Sequence, residues 1–190
     1  MGAYIKYTGQ YKNGLYDGEG HLYYPNTSTK MILAKFKDGK IDEDLPATLY
    51  HKNGVIKYHG GIKAHIKEGT AIEYHDNGVV RHVNGHYEND VLNGKQVETY
   101  NSDGKLIYIG NYKDGIIEGS GKEFYEDTDQ QVKLISENFI NGLANGNKNK
   151  IFWKNSKVKY EGQMKNGKLH GQVKVRFLYY RVNYITNQEP

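Results

Sequence analysis

The chain has 190 residues and a formal net charge of +4, with 37% hydrophobic residues, 13% aromatic residues and 18 tyrosines. Its 23 glycines against 3 prolines exclude an ordinary helical protein, and the glycines lack the one-in-three order of collagen. The absence of cysteine excludes disulfides and thiolate zinc sites. No apolar stretch approaches the roughly 20 residues that a membrane-spanning helix needs.

From its first residues onward the sequence repeats itself. Successive repeats lie roughly 25 residues apart, and the units begin near Tyr7, Ile32, Tyr58, Val83, Tyr108, Ile135 and Tyr160. We expect these seven units to form a single array over residues 1–190. Because the first unit starts so early, we also expect no removable presequence before it.

The first unit shows how each unit is expected to fold. Tyr7, Gly9 and Tyr11 occupy alternate positions, a spacing that places their side chains on one face of a strand. Asn13-Gly14 follows, a dipeptide that tolerates positive φ and favours a tight turn between antiparallel strands. The glycines alternate again in Gly18-Glu19-Gly20, so each unit is predicted to be a β-hairpin.

The later units depart from this pattern in places. In the second unit Glu43 and Leu45 replace the later glycines beside Pro46, which indicates a bulge or a distorted strand. The third unit has Ala64-His65 at its turn. Glu137 stands where the sixth unit should have a glycine, and the seventh unit replaces its central ring with Met164.

Glycine weakens a strand by roughly 0.5 to 1 kcal/mol relative to alanine, so the recurring glycines need a compensating contact. A large ring on one strand can cover the bare backbone that a glycine leaves on its neighbour. Since a lone hairpin is barely stable in water, each unit must also pack against the next. The sequence therefore predicts an all-β protein, an elongated single-layer twisted antiparallel meander of seven tandem β-hairpins.

The end of the chain differs from the repeats. Residues 173–190 contain no glycine and are rich in strand-forming residues. We interpret them as a C-terminal strand that either caps the array or faces a partner, because an unpaired sheet edge readily pairs with another strand.

This pattern resembles the MORN repeat, whose units carry an aromatic residue, glycine and a second aromatic residue at alternate positions, then Asn/Asp-Gly and Gly-x-Gly. The first unit, from Tyr7 to Tyr24, and the fifth unit, from Tyr108 to Tyr125, match it fully. The resemblance implies a twisted antiparallel meander. It also implies a scaffold of the kind found at cytoskeletal and ciliary structures, at membrane junctions, or attached to kinase and methyltransferase domains. We expect the repeat module alone, without an appended catalytic domain.

The sequence shows no pattern typical of an enzyme or a metal site. Six histidines lie between His51 and His86, but no cysteine or paired carboxylate accompanies them at ligand spacing, so solvated or packing roles are favoured. Asp17 and Glu118 are expected to be solvated, and Gly18-Glu19-Gly20 lies in a strand pattern that opens no helix. We therefore expect no enzyme, no cofactor and no metal.

Charge is distributed unevenly along the chain, because the last third is strongly basic. This pattern fits simple solubility and an electrostatic docking surface about equally well. The residues predicted to contact a partner are Lys148, Lys150, Lys154, Lys157, Lys159, Lys174, Arg176 and Arg181, and Lys165 and Lys168 lie among them.

These features favour a non-catalytic scaffold or adaptor, a subunit of a larger protein assembly. One alternative is peripheral binding to an anionic membrane through the basic third. A weaker alternative is single-stranded nucleic-acid binding, with tyrosines stacking on bases. The expected location is cytoplasmic, at the cytoskeleton or a cilium, with an organellar complex such as a mitochondrial one as the alternative.

Overall fold

The computed structural model describes residues 4–177, which form fifteen β-strands in one open antiparallel sheet. Neighbouring strands in the sheet follow chain order, except that the two-residue β4 pairs only with β3. The all-β hairpin meander is thus confirmed. The strands are Tyr7–Lys12 (β1), Leu15–Tyr23 (β2), Lys30–Lys37 (β3), Lys40–Ile41 (β4), Ala47–Tyr50 (β5), Ile56–Lys63 (β6), Ile66–Tyr74 (β7), Val80–Glu88 (β8), Val91–Tyr100 (β9), Leu106–Lys113 (β10), Ile116–Phe124 (β11), Val132–Ile140 (β12), Leu143–Phe152 (β13), Val158–Lys165 (β14) and Lys168–Val175 (β15).

Two-residue turns with positive φ at both positions join the strands within each unit. Asn13 and Gly14 have φ of 51° and 77°, the geometry that matches the twist of the strands that they connect. The third unit keeps this geometry without glycine, because Ala64 and His65 have φ of 46° and 68°. The turn is thus imposed by the strands even where its residues do not favour it.

Cross-strand register divides the side chains between two faces. We call the face that carries Tyr7, Gly9 and Gly20 the ring face, and the opposite face the back face. On the ring face, the Tyr7 phenol covers both glycines so closely that a Cβ atom at Gly20 would lie 2.3 Å from its oxygen. Tyr108 covers Gly121 in the same way, at 2.3 Å. The aromatic rings therefore occupy the space that the missing side chains leave.

The phenols also satisfy backbone carbonyls at recurring bulges. Register shifts follow Gly9, Gly60 and Gly110, where one residue of the first strand faces three residues of the return strand. The phenol donates a hydrogen bond to the carbonyl oxygen of that single residue, at 3.1 Å from Tyr7 to Gln10, 2.8 Å from Tyr58 to Gly61 and 3.4 Å from Tyr108 to Asn111. Tyr160 makes the same contact with Gln163.

Register identifies the residues that replace this tyrosine in the alternate units. His82 pairs with Glu73 and Thr99, and Leu134 pairs with Glu123 and Ile151, in the row that also holds Tyr58 and Tyr108. The predicted first residues of these two units, Val83 and Ile135, each come one residue later, and their side chains lie on the back face.

Hydrogen bonds from side chains connect each unit to the next. At the turn side of the ribbon, Glu68 accepts a hydrogen bond from the backbone N–H of Asn89, and Glu118 accepts one from Asn141. At the other side, ring nitrogens of His51 and His75 contact the carbonyl oxygens of Tyr74 and Tyr100 at 3.2 and 2.9 Å. Neighbouring units therefore interact through side chains as well as through the sheet.

The core lies on the ring face and has two parts. One cluster of buried residues extends from Ile32 to Val97, and a second extends from Tyr108 to Met164. The half-buried Tyr112 packs against both. Core packing therefore continues from unit to unit without enclosing a central interior.

The second unit is distorted, as its sequence indicates. Its return strand is split into β4 and β5, and only the latter pairs with β6. Pro46 lies between the two segments. Because proline has no backbone N–H, it cannot donate a hydrogen bond to a neighbouring strand. The missing glycines and the proline explain this break.

Candidate partner-binding surface

The predicted basic residues lie at the C-terminal end of the sheet. Lys148 and Lys150 are on β13, Lys154 and Lys157 on the following connection, and Lys159 on β14. All seven within residues 4–177 are exposed. Lys174 and Arg176 lie on and just after β15, whereas Arg181 lies outside the described residues, as do residues 178–190 of the predicted C-terminal strand.

Two of these cations pair with one carboxylate on the back face, and a third lies opposite it on the next strand. Register aligns Lys150, Glu161 and Lys174 across β13, β14 and β15. Glu161 forms ion pairs with Lys150 at 3.2 Å and with Arg176 at 3.4 Å. The hydrogen bond from Lys150 is the main reason that the pKa of Glu161 is lowered. Lys150 and Arg176 are therefore already engaged within the chain.

Two other lysines contact aromatic rings near the connections. Lys154 pairs with Asp127, and its ammonium lies 5.7 Å from the centre of the Tyr125 ring. The ammonium of Lys159 lies 4.3 Å from the Trp153 ring, within the range of a cation–π interaction. The structure thus brings these residues to one end of the sheet but not into a single cluster.

A buried polar network on the ring face is absent from the sequence predictions. Glu73, whose side chain is 11% exposed, forms an ion pair with Lys67 at 3.0 Å and accepts a hydrogen bond from the Tyr87 phenol at 2.7 Å. Lys67, which pairs in register with Ile62, holds the position that Tyr16 holds in the first unit. Its ammonium lies 4.5 Å from the Tyr87 ring. A cation therefore takes the place of the Tyr16 ring, which in the first unit stacks on the Tyr7 ring.

The same network includes His82. Its Nδ1 lies 3.2 Å from the Thr99 hydroxyl, and burial lowers the pKa of His82 to about 4, although the nearby Glu73 carboxylate opposes this shift. Burial raises the pKa of Glu73, but the Tyr87 hydrogen bond and the Lys67 charge outweigh it, so its pKa is lowered. At neutral pH the network holds a neutral imidazole beside an ion pair.

Comparison with protein families identifies three of the units. The MORN repeat model matches residues 7–29, 108–130 and 160–172. This protein contains MORN repeats. A search of curated proteins found no match. MORN repeats are commonly protein- or membrane-interaction modules and are generally non-catalytic.

The residue types that suggest chemistry have structural roles within the sheet. His51 and His75 bridge adjacent units, and His59 contacts the Thr48 hydroxyl at 2.9 Å. Within residues 4–177, no three His, Cys, Asp or Glu side chains are placed to hold a metal ion. The described residues also include no helix that could cross a membrane.

Glu118, which the sequence predicts to be solvated, also has a structural role, since its carboxylate accepts a hydrogen bond from the backbone N–H of Asn141 in the next unit. The signal for this role is a recurring offset. Glu68 and Asn93 accept backbone N–H groups 21 residues further on, from Asn89 and Asp114. A search for acceptors 21 residues before each turn would have found Glu68 and Asn93, but not Glu118, which lies 23 residues before Asn141.

Proposed function

We propose that this chain is a non-catalytic scaffold or adaptor that holds protein partners together as a subunit of a larger cytoplasmic assembly, at the cytoskeleton or a cilium. The proposal rests first on the general role of MORN repeats as interaction modules. It is supported by the open sheet, which leaves β1 and β15 as edge strands among the described residues.

The last strand is the observation that carries this proposal. Every residue of β15 is exposed, and it has a neighbouring strand on one side only within residues 4–177. Leu169, Val173 and Val175 are 53%, 43% and 47% exposed on its ring face. An exposed strand edge with apolar side chains can add a strand from another chain, and main-chain hydrogen bonds then supply affinity.

Exposed cations at this end of the sheet favour acidic partners. Among the described residues, Lys148, Lys157 and Lys174 form no ion pair, so their charges are available to a partner. Complementary charge mainly increases the rate of association and the selectivity for a partner.

Affinity purification from the native source, followed by mass spectrometry, tests this function. We expect defined partners to co-purify with the wild-type chain and to be lost when Lys148, Lys157 and Lys174 are all changed to glutamate. The matched control reverses Lys12, Lys37 and Lys63, which are exposed on the first units, and should retain the partners. Equal capture by both variants would remove the basic end from the proposal. Catalytic turnover that one point substitution abolishes would overturn the scaffold itself.

A second candidate function is peripheral binding to an anionic membrane. Phe177 is 78% exposed close to Lys174 and Arg176 in sequence, a combination of ring and cations that suits a lipid interface. Flotation with liposomes that contain or lack acidic lipid tests it, and binding that neither acidic lipid nor salt affects would contradict it.

Nucleic-acid binding receives less support. Tyr58, Tyr87 and Tyr160 are at most 2% exposed, so these rings have no free face on which a base could stack.

A further inference from the structure

A groove of about 530 Å³ crosses the back face of the sheet between β9 and β13. Its apolar lining includes Ile109 on β10 and Ile135 on β12, both half-buried, with Phe124 and Val132 at one end. The volume is within the range of about 300–1,000 Å³ that is usual for ligand sites. The groove is large enough to hold at least one large side chain.

Strand register explains why the apolar residues lie together. Lys122 on β11 pairs with Ile109 on one side and with Ile135 on the other, so the three side chains form a row across three strands. The aliphatic stem of a lysine can lie along apolar neighbours while its ammonium stays in water. The row therefore presents an apolar floor with a cation at its centre.

The groove carries more positive than negative charge. Lys122 and Lys148 line it, are exposed, and form no ion pair among residues 4–177. Glu137 is the carboxylate in the lining, and one of its oxygens accepts the backbone N–H groups of Asn147 and Lys148, both at 3.1 Å. Two free ammonium groups thus face one carboxylate that is already hydrogen-bonded.

We propose that this groove binds an acidic segment of a partner protein. A large apolar side chain of the segment packs on Ile109 and Ile135, and neighbouring carboxylates contact Lys122 and Lys148. This inference rests on the proposed scaffold function and names the chemistry of one partner. A protein segment fits better than a lipid surface, because the residues converge on one recess rather than on a plane.

Selection of random peptides displayed on phage against the purified full chain tests this proposal. We expect the selected peptides to carry a leucine, phenylalanine or similar residue next to aspartates or glutamates. Fluorescence polarisation of one labelled winner should show binding at least about tenfold weaker for the Lys122→Glu/Lys148→Glu variant. Lys165→Glu, an exposed lysine on β14 outside the groove, should bind like the wild type.

A second pair of variants tests the apolar floor. Ile109→Thr and Ile135→Thr keep a β-branched residue in each strand but add a hydroxyl, and each should weaken the same peptide several-fold. Selected peptides without acidic residues, or undiminished binding to the double lysine variant, would overturn the groove as the site. The scaffold function is judged separately, since partners could still co-purify through β15.

Discussion

The large excess of tyrosine over phenylalanine, 18 against 5, has a physical explanation at the first ring position. A phenylalanine there would cover the glycines equally well but would leave the carbonyl at the register shift without a hydrogen bond. Burying an unsatisfied carbonyl costs about 1 to 3 kcal/mol. The phenol of Tyr58 meets this need for Gly61 at 2.8 Å.

Tyr58→Phe should therefore lower the free energy of unfolding by about 1 to 3 kcal/mol, because it leaves the Gly61 carbonyl unsatisfied. Tyr11→Phe is the control, since Tyr11 is 59% exposed, and its effect should stay within about 0.5 kcal/mol. Urea denaturation followed by circular dichroism measures both. Equal effects of the two substitutions would show that the buried phenol has no special role.

The His82 network makes stability depend on pH. The pKa of this imidazole is about 4 in the folded chain, against 6.5 for an unperturbed histidine. As the pH falls from about 6.5 to about 4, the unfolded chain binds a proton that the folded chain does not, so stability declines. Glu73, with its lowered pKa, adds a further decline in the same direction at more acidic pH.

The predicted result is a loss of stability on acidification that His82→Asn makes smaller between pH 6.5 and 4. Urea titrations at a series of pH values supply the measurement. His86→Asn, which changes an exposed histidine, should leave the slope nearly unchanged. If the wild type and His82→Asn lost stability in parallel across this range, the assignment to His82 would fail.

Among the hairpins, the turn of the third unit is the least suited to its sequence. Ala64 and His65 adopt positive φ, which costs an ordinary residue roughly 1–2 kcal/mol, whereas Asn and Gly adopt it readily. Ala64→Asn with His65→Gly should therefore stabilise the protein by about 1 kcal/mol or more, measured as a rise in the denaturation midpoint. Both positions are exposed, so packing does not interfere. An unchanged or lower midpoint would mean that the turn is not strained.

Hairpin geometry was predictable because it depends on neighbours in sequence. Asn13-Gly14 specified its turn, and the alternation of Tyr7, Gly9 and Tyr11 specified the ring face. Contacts between units were harder to predict, since Glu118 reaches the turn of a different hairpin. The sequence did not indicate the buried role of Lys67, because a lysine near a turn is usually solvated. Its burial depends on its contacts with Glu73 and Tyr87.

Contacts between distant residues also limited what the sequence could predict of the candidate site. The sequence indicated a basic end, and the structure shows that end to be divided by internal ion pairs. Pairing of Lys150 with Glu161 depends on the register between β13 and β14, which a bulge shifts. Net charge alone could not separate engaged cations from free ones.

At the scale of the whole molecule, the two core clusters should respond separately to damage. Phe139 is fully buried in the second cluster, and Phe139→Ala should cost about 3–5 kcal/mol. In a nearest-neighbour array this loss is felt mainly by adjacent units. Hydrogen exchange should show reduced protection from β10 to β15 and much less change from β5 to β7. Uniform loss of protection would indicate one cooperative unit instead.

The contact between ring and glycine is tested most directly by a double-mutant cycle of Tyr108→Ala and Gly121→Ala. Because a Cβ atom at Gly121 would lie 2.3 Å from the Tyr108 oxygen, each single substitution should be strongly destabilising. In the double variant the methyl group occupies the space that the ring has left. We predict that the double variant loses at least about 1 kcal/mol less free energy of unfolding than the sum of the singles. Additive losses, within about 0.5 kcal/mol, would contradict the packing of rings on glycines.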